Sequence, residues 1–396
     1  MKEIKYIDNN MELGIDIDFD FIEKEFKKLK IPDNVYKCDF PWNDSKIFIA
    51  MSKRGTGKTT NMLLKIMICY QHYGSRGEWI RQTYDMIKMT NISEMFNTIR
   101  QYDYVSKITK KKYNDVIYKN RAMYFCKYGG DKKPSEIDTE PFLRFNSIDE
   151  EKNIRSSYNS PTSTFIVFDE YQAPAPRLTN EFVDFFNIVS TIRRKRENVR
   201  LVFLGNTTSP YCHIYHEMDI SKVILKMNPN DKVLYTNKKG CKIYIEWVEP
   251  NTKNKKHTEK EKILDNQYFG FDGLNSIVGG GWDIANYPHI EKNIDKEKEV
   301  IERYYLHTQI FDISMQLCWH DDIGYFCFCR PILERHKRED IYTFTDEEVD
   351  TPKKIKGIGK GFAKCRKLWK LIDDDRFLYS TNDIGELVYN YYLKWK

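Results

Sequence analysis

The stretch Lys46-Ile47-Phe48-Ile49-Ala50-Met51, followed by Ser52-Lys53-Arg54-Gly55-Thr56-Gly57-Lys58-Thr59, decides the fold of this 396-residue chain. Its first half predicts a strand, and a helix-like segment follows Gly-Lys-Thr, which is the pattern of a P-loop. The backbone N–H groups of such a loop bind phosphate at the positive end of a helix dipole. We therefore predict that residues 52–59 bind ATP, with Lys58 on the β- and γ-phosphates and Thr59 on Mg²⁺. Ser52 replaces the usual first glycine, which is tolerated if the backbone there does not need positive φ.

A second stretch, Thr164-Phe165-Ile166-Val167-Phe168-Asp169-Glu170, predicts a strand buried on both faces that ends in two carboxylates. Nucleotides bind outside the carboxyl ends of the strands in open α/β sheets. Asp169 is therefore expected to hold the Mg²⁺ shell and Glu170 to polarise the attacking water. Alone, this stretch would equally describe a buried strand with a solvated acidic end. Together with the P-loop it favours a magnesium-dependent nucleotide hydrolase.

Strand-like and helix-like segments alternate after the P-loop, which predicts an α/β fold with a mostly parallel, doubly wound sheet. Glu78 to Arg81 predicts the next strand, with Arg81 near its end. A helix-like pattern covers residues 92–102. Residues 200–204 predict another buried strand leading to Asn206, which could contact the γ-phosphate or simply form the turn.

Composition and charge narrow the class of partner. Hydrophobic residues make up 41% of the chain and charged residues 31%, as in a soluble globular protein. No apolar run suits a signal peptide or a membrane span, so neither secretion nor a membrane partner is expected. Residues 351–396 carry 11 Lys and Arg against 5 Asp and Glu, which equals the +6 net charge of the whole chain. Such a cluster indicates a polyanionic partner, although a solvated lysine-rich surface also explains it.

Four arginines cluster where a predicted helix ends and a strand begins: Arg193, Arg194, Arg196 and Arg200. Cations are favourable at the C-terminal end of a helix, which is one explanation. The other is an arginine finger that reaches the γ-phosphate of a neighbouring subunit. The sequence leaves both explanations open.

Several motifs resemble the terminase-like genome-packaging motor ATPases of small short-tailed phages with protein-primed linear double-stranded DNA. They are Arg-Gly-Thr-Gly-Lys-Thr (54–59), Ile-Val-Phe-Asp-Glu-Tyr (166–171), Arg-Arg-Lys-Arg-Glu-Asn-Val-Arg (193–200), Leu-Gly-Asn (204–206) and Leu-Asp-Asn-Gln-Tyr-Phe-Gly (264–270). The resemblance implies an ASCE-type P-loop ATPase domain at 45–235, a small linker domain at 236–295 and a C-terminal α+β domain at 296–396. The last would resemble an RNase H-like nuclease that has lost its catalytic acids. An N-terminal extension, 1–44, lies outside the resemblance.

The resemblance also implies a function and further site residues. Members of that family form a homopentameric ring at the portal vertex of the capsid and drive double-stranded DNA inward with ATP. Such a protein works in the cytoplasm of the infected bacterial host and sits only transiently on the capsid. The resemblance places Arg54 in the P-loop, Arg81 after the second strand and the trans-acting finger at Arg194. It also points to Arg155 at the subunit interface, where a lysine would be usual.

The remaining expectations concern partners and rival functions. The basic C-terminal strip would suit DNA, a structural RNA or the capsid portal, and residues 355–363 resemble a helix-hairpin-helix loop. Lysines between Lys107 and Lys112 are candidates for gripping DNA, although solvated charge explains any one of them more simply. No nuclease activity is expected, because the acids at 312, 321–322 and 373–375 are more typical of solvated turns than of a two-metal site. The rivals are a helicase-type motor acting on single strands and a nucleotide-regulated assembly module without motor activity.

Overall fold

The computed structural model describes residues 16–32, 35–37, 39–53, 55–130, 133–157, 162–172, 181–194, 196–248, 282, 284, 286–308, 310, 312–332, 341–343, 356–357, 368 and 370–395. The chain divides into two compact units. One comprises residues 1–207 and 227–264, and the other residues 208–226 and 265–396.

A ten-stranded, mostly parallel sheet forms the centre of the first unit. Its strands are β1 (Ile47–Ser52), β2 (Arg76–Arg81), β3 (Asp115–Lys119), β4 (Ala122–Lys127), β5 (Glu136–Ile137), β6 (Leu143–Ser147), β7 (Ser163–Asp169), β8 (Arg200–Asn206), β9 (Lys232–Thr236) and β10 (Lys242–Val248). They lie in the order β3-β4-β6-β2-β7-β8-β1-β10-β9, with β5 beside β4. The strands from β6 to β10 in this order are parallel, and the outer ones are antiparallel. The predicted α/β fold with a mostly parallel sheet is confirmed.

Helices flank this sheet, and local sequence explains several of their ends. They are α1 (Phe19–Lys28), α2 (Lys58–Tyr73), α3 (Met89–Met95), α4 (Asn97–Gln101), α5 (Tyr104–Ile108), α6 (Glu151–Ser157) and α7 (Glu181–Arg193). The Asp18 carboxylate caps α1 by accepting from the Phe21 N–H at 3.0 Å. Gly74 ends α2 in the left-handed conformation that favours glycine. The helix-like pattern at 92–102 corresponds to two helices, α3 and α4, which are separate because the backbone of the buried Phe96 leaves helical geometry.

Residues of the predicted N-terminal extension belong to the core of the first unit. Phe19 of α1 and Trp42 are buried in the same apolar cluster as residues of α2. Glu23 accepts hydrogen bonds from the Trp42 indole at 2.5 Å and from the Lys65 ammonium. Lys65 is fully buried in α2, 5.4 Å from the centre of a Trp42 ring. A buried ion pair therefore fastens α1 to the helix that follows the P-loop.

The first sheet continues past residue 236, where the predicted linker domain begins, because β10 pairs in parallel with β1. The linker motif at 264–270 lies outside the described residues. The domain limits predicted from the sequence therefore stay a prediction. The two compact units meet along the chain after residues 207, 226 and 264.

The second unit contains a six-stranded sheet. Its elements are α8 (His213–Glu217), α9 (Ser221–Ile224), α10 (Lys292–Glu297), β11 (Glu299–His307), β12 (Ile313–His320), β13 (Gly324–Pro331), β14 (Ile341–Thr343), β15 (Lys356–Gly357), β16 (Phe377–Tyr379) and α11 (Asn382–Trp395). The order is β15-β14-β11-β12-β13-β16, with β11, β12 and β13 antiparallel. β12 and β13 form a hairpin that turns between His320 and Gly324. Of the predicted helix-hairpin-helix loop, only residues 356–357 are described, and they form β15. No helix in the described part of the chain is long and apolar enough to cross a membrane.

Candidate nucleotide site

The P-loop and the acidic strand end meet at one edge of the first sheet. β8 lies between β1 and β7, and all three are parallel, so their carboxyl ends share that edge. In this register Ser52 is opposite Asn206, and Asp169 is opposite Leu204. The Thr207 N–H also donates to the Ser52 carbonyl at 3.0 Å. The edge thus brings together residues that lie far apart in sequence.

The loop backbone explains its glycines and its serine. Gly55 and Gly57 have φ of 76° and 82°, a region that glycine adopts most easily. A Cβ on Gly57 would lie 2.7 Å from Val35 Cγ1, whereas one on Gly55 would meet nothing within 4 Å. Ser52 is the last residue of β1 and has no positive φ, so a side chain is tolerated there as expected. Arg54 lies outside the described residues.

The segment before β1 supports this loop. The Tyr36 N–H donates to the Thr56 carbonyl at 2.8 Å, and the Asn61 side-chain amide donates to the Tyr36 carbonyl at 3.0 Å. With Val35 against Gly57, these contacts hold residues 35–36 on the loop. These contacts could not be predicted from the sequence, because none of these residue types is typical of phosphate binding.

Lys58 begins α2 and is buried within the loop. Its ammonium donates to the Ser52 hydroxyl and, at 3.3 Å, to the Lys53 carbonyl. Burial lowers the pKa of Lys58 to about 8, while the charges of Asp169 and Glu170 act in the opposite direction and raise it. Lys58 is therefore within electrostatic reach of both predicted carboxylates. Thr59, the next residue of α2, is half-buried.

Asp169 is buried and held through one oxygen. Its Oδ2 accepts from Arg81 Nη2 at 2.7 Å, from Arg81 Nε at 3.2 Å and from the Trp79 indole N–H at 3.2 Å. Trp79 and Arg81 are two residues apart on β2, which pairs with β7, so both side chains lie on the same face. Arg81 thus contacts the metal-binding candidate, and its predicted role in binding the cofactor stays a prediction. The role of Trp79 was missed, since only the strand order reveals it.

Glu170 occupies a different environment from its neighbour. It is exposed, and its φ of 57° is left-handed, which is unusual for a residue with a side chain. Its N–H donates to the Leu204 carbonyl of β8 at 2.8 Å. The strand thus ends in a fixed kink that buries the first carboxylate and exposes the second.

The arginines that cluster in sequence differ in burial. Arg196 and Arg200 are buried, and burial lowers the pKa of each to about 10. Arg196 donates to the carbonyls of Ile192 and Ser163 at 2.6 Å and 2.7 Å, so it closes the end of α7 as the helix explanation predicts. Arg194 is exposed, with φ of 42°.

Arg194 follows α7, whose C-terminal end lies near the start of β7. Ser163, which Arg196 contacts, is the first residue of β7, and Asp169 is the last. Seven residues of strand span about 20 Å. The end of α7 therefore lies at the opposite edge of the sheet from the P-loop. Arg155 lies in α6, which connects β6 to β7 in sequence.

The donor atoms fit a magnesium ion held together with a nucleotide. Mg²⁺ prefers hard oxygen ligands, and it is commonly bound by one or two protein groups plus phosphates and water. A Thr59 hydroxyl and an Asp169 carboxylate are such groups. The described residues contain no cluster of three or more His, Cys, Asp or Glu that could hold a metal ion. A magnesium ion at Thr59 and Asp169 would therefore need phosphate oxygens or water as further ligands.

A phosphate-binding loop between a strand and a helix, with carboxylates at a nearby parallel strand end, defines the class of P-loop nucleotide-binding folds. No family model and no curated protein matches the chain. Solved structures do. The chain is similar to the Phi-28 gp11 DNA packaging motor (17% identity, 89% of this chain and 96% of that chain, TM-score 0.49).

It is also similar to the viral genome packaging motor assembly of bacteriophage Phi-29 (16% identity, 89% of this chain and 97% of that chain, TM-score 0.48). A third match is the ATPase domain of a Thermus phage large terminase (14% identity, 62% of this chain and 93% of that chain, TM-score 0.36). All three are phage packaging proteins, the class that the sequence motifs resemble.

Proposed function

We propose that this chain is an ATP-hydrolysing motor subunit that translocates double-stranded viral DNA into a preformed capsid. One observation carries the ATPase part: the P-loop that contains Lys58 and the carboxylates of Asp169 and Glu170 lie at the shared carboxyl ends of β1, β8 and β7. A strand between the P-loop strand and the acidic strand supports the ASCE-type assignment. The DNA-translocating part rests on the motifs that resemble packaging ATPases.

Each residue of the site has a defined task in this proposal. Lys58 and the loop N–H groups bind phosphate, and Ser52 and Lys53 hold the lysine until nucleotide arrives. Thr59 and Asp169 would hold Mg²⁺, which neutralises charge on the phosphates when bound. Arg81 and Trp79 engage Oδ2 of Asp169 and so fix the carboxylate that would hold the metal. The exposed Glu170 orients the attacking water, and Asn206 contacts the γ-phosphate.

The site is completed by a neighbouring subunit. Arg194 lies at the far edge of its own sheet, so as an arginine finger it serves the next chain in a ring. Arg155 acts at the same interface. A pentameric ring on the capsid portal is the assembly that the motif resemblance favours.

The second unit is proposed to be the vestigial nuclease-like domain. Three antiparallel strands, β11 to β13, with β14 and β15 added in parallel at the β11 edge, support the RNase H-like assignment. Loss of nuclease activity stays a prediction, as do binding of the basic strip to DNA, structural RNA or the portal, and the domain limits at 45–235, 236–295 and 296–396.

ATP-dependent protection of DNA from nuclease by purified empty capsids tests the function. With this protein and ATP, DNA should become protected; with Glu170→Gln, both ATP hydrolysis and protection should be lost. Glu94→Gln, at an exposed position of α3, is the matched control and should behave as wild type. ATP hydrolysis without any protection would reject translocation into capsids. Parent-rate hydrolysis by Glu170→Gln would reject the catalytic assignment.

A further inference from the structure

The last turn of α5 and the turn that follows it carry four exposed lysines, Lys107, Lys110, Lys111 and Lys112, here called the basic turn. Lys110 and Lys111 have φ of 53° and 64°, so two consecutive residues adopt the left-handed conformation. Residues with side chains adopt it at an energetic cost, and glycine or asparagine is usual there. Two lysines thus occupy consecutive positions where the backbone conformation favours glycine or asparagine.

Buried hydrogen bonds fix the shape of the basic turn. Thr109 is buried, and its hydroxyl donates to the Val105 carbonyl at 2.8 Å. The same hydroxyl accepts from the Tyr113 N–H at 3.1 Å, and the Lys111 N–H donates to the Ser106 carbonyl at 2.8 Å. The lysines therefore project from a backbone that is already ordered, so a ligand need not order it.

The charges of the turn are largely uncompensated. Within the described ranges, no carboxylate lies within ion-pair distance of Lys110 or Lys111. Lys107 donates to the Tyr102 carbonyl at 2.7 Å, and Lys112 lies 4.8 Å from the centre of the Tyr113 ring. The pKa of Lys112 is raised first by its hydrogen bond with Tyr113, with smaller contributions from the charges of Asp138 and Glu136. A fixed group of lysines in which Lys110 and Lys111 have no carboxylate partner is suited to a polyanion.

The basic turn is connected to the nucleotide site through packed helices. α5 contacts α2, the helix that begins at Lys58. Tyr104 and Val105 of α5 are buried in the same core cluster as Leu64 and Ile68 of α2. A displacement of α2 on nucleotide binding would therefore reach the turn through contiguous packing.

We propose that the basic turn binds the phosphate backbone of double-stranded DNA. This inference rests on the proposed function and adds to it the surface that holds the substrate. Contacts to phosphate are independent of base sequence, as a motor that passes a whole genome requires.

Binding of a short DNA duplex to the full chain, measured by fluorescence anisotropy over a salt series, tests the proposal. Lys110→Ala/Lys111→Ala should weaken binding roughly tenfold at about 50 mM salt and make the slope of log K against log salt shallower by about 2. Lys238→Ala/Lys239→Ala removes the same charge from exposed positions beside the β9–β10 turn and should change neither. Lys110→Arg/Lys111→Arg should retain wild-type binding.

A second variant separates charge from folding. Lys110→Gly/Lys111→Gly relieves the left-handed backbone, so its Tm should rise while its DNA binding falls as in the alanine variant. If the alanine variant kept wild-type affinity and the wild-type slope of log K against log salt, DNA binding by the basic turn would be rejected. The proposed function would then be unaffected. Loss of RNA duplex binding with DNA binding intact would assign the turn to RNA and also reject DNA binding by it. If wild-type protein binds no duplex DNA, both proposals fail.

Discussion

Arg81 Nη2 and Asp169 Oδ2 lie 2.7 Å apart, and this buried ion pair joins β2 to β7 at the edge that carries the P-loop. Removing one partner of a buried pair strands the other charge, at a cost of about 3–5 kcal/mol. Arg81→Ala should therefore lower the free energy of unfolding by that order and raise the magnesium concentration needed for half-maximal ATPase activity.

Urea unfolding and magnesium titrations of ATPase activity measure the two effects. Arg76→Ala, at the opposite end of β2, is the control and should leave the magnesium requirement unchanged. If Arg81→Ala raised the magnesium concentration for half-maximal ATPase activity no more than Arg76→Ala does, Arg81 would have no role in positioning Asp169.

Gly57→Ala and Gly55→Ala should differ in stability although both glycines have positive φ. An alanine at Gly57 meets Val35 at 2.7 Å, and overpacking of this kind costs about 1–3 kcal/mol beyond the backbone strain. Gly55→Ala has open space and incurs the strain alone. Thermal unfolding should rank wild type above Gly55→Ala above Gly57→Ala, and Val35→Ala should partly restore the last. Equal losses of Tm would contradict the contact.

Nucleotide affinity should fall as pH rises through about 8, the pKa to which burial lowers Lys58. Phosphate binds the protonated ammonium and raises its pKa, so the affinity from this charge is complete below the pKa of the free protein and is lost above it. Calorimetry in buffers of different ionisation enthalpy should detect proton uptake on binding near pH 8. Lys58→Arg should abolish that uptake, because arginine stays protonated. Uptake of equal size in Lys58→Arg would assign it to another group.

Arg194→Ala should affect ATP turnover, whereas Arg196→Ala should affect thermal stability. Arg194 is exposed and distant from its own site, so its loss should abolish turnover with little change in Tm. Arg196 is buried on the carbonyls of Ile192 and Ser163, so its loss should lower Tm. Mixing Arg194→Ala with Glu170→Gln subunits should restore part of the ATPase rate, since some interfaces then pair an intact finger with an intact glutamate. No restoration in mixed rings would argue against action between subunits.

Lys65→Ala should destabilise the protein by about 3–5 kcal/mol, because it leaves Glu23 buried without its cation. Lys65→Met/Glu23→Leu removes both charges and keeps apolar volume, so much of the loss should be recovered. Urea unfolding of both variants measures the difference. A double variant as unstable as the single one would show that packing, and not charge, holds α1 on α2.

The sequence predicts those parts of the fold that depend on local pattern. The β1–P-loop–α2 unit, the buried run of β7 and the kink-bearing pair Asp169-Glu170 are each contiguous. Contacts between distant segments are different, since nothing near Trp79 in sequence indicates that it will meet Asp169. The separation of Arg194 from Arg196 likewise depends on which side of α7 faces β7. Strand pairing and helix packing determine these contacts, and the local sequence does not indicate them.

Left-handed backbone at residues with side chains links several of the proposed functions. Glu170, Arg194, Lys110 and Lys111 all have positive φ, and glycine would be more stable at each position. Random variants selected only for heat resistance would therefore accumulate glycine at these four positions and lose activity as they gained stability. Glycine at other left-handed residues, such as Lys30 and Asp219, should raise stability without that loss of activity.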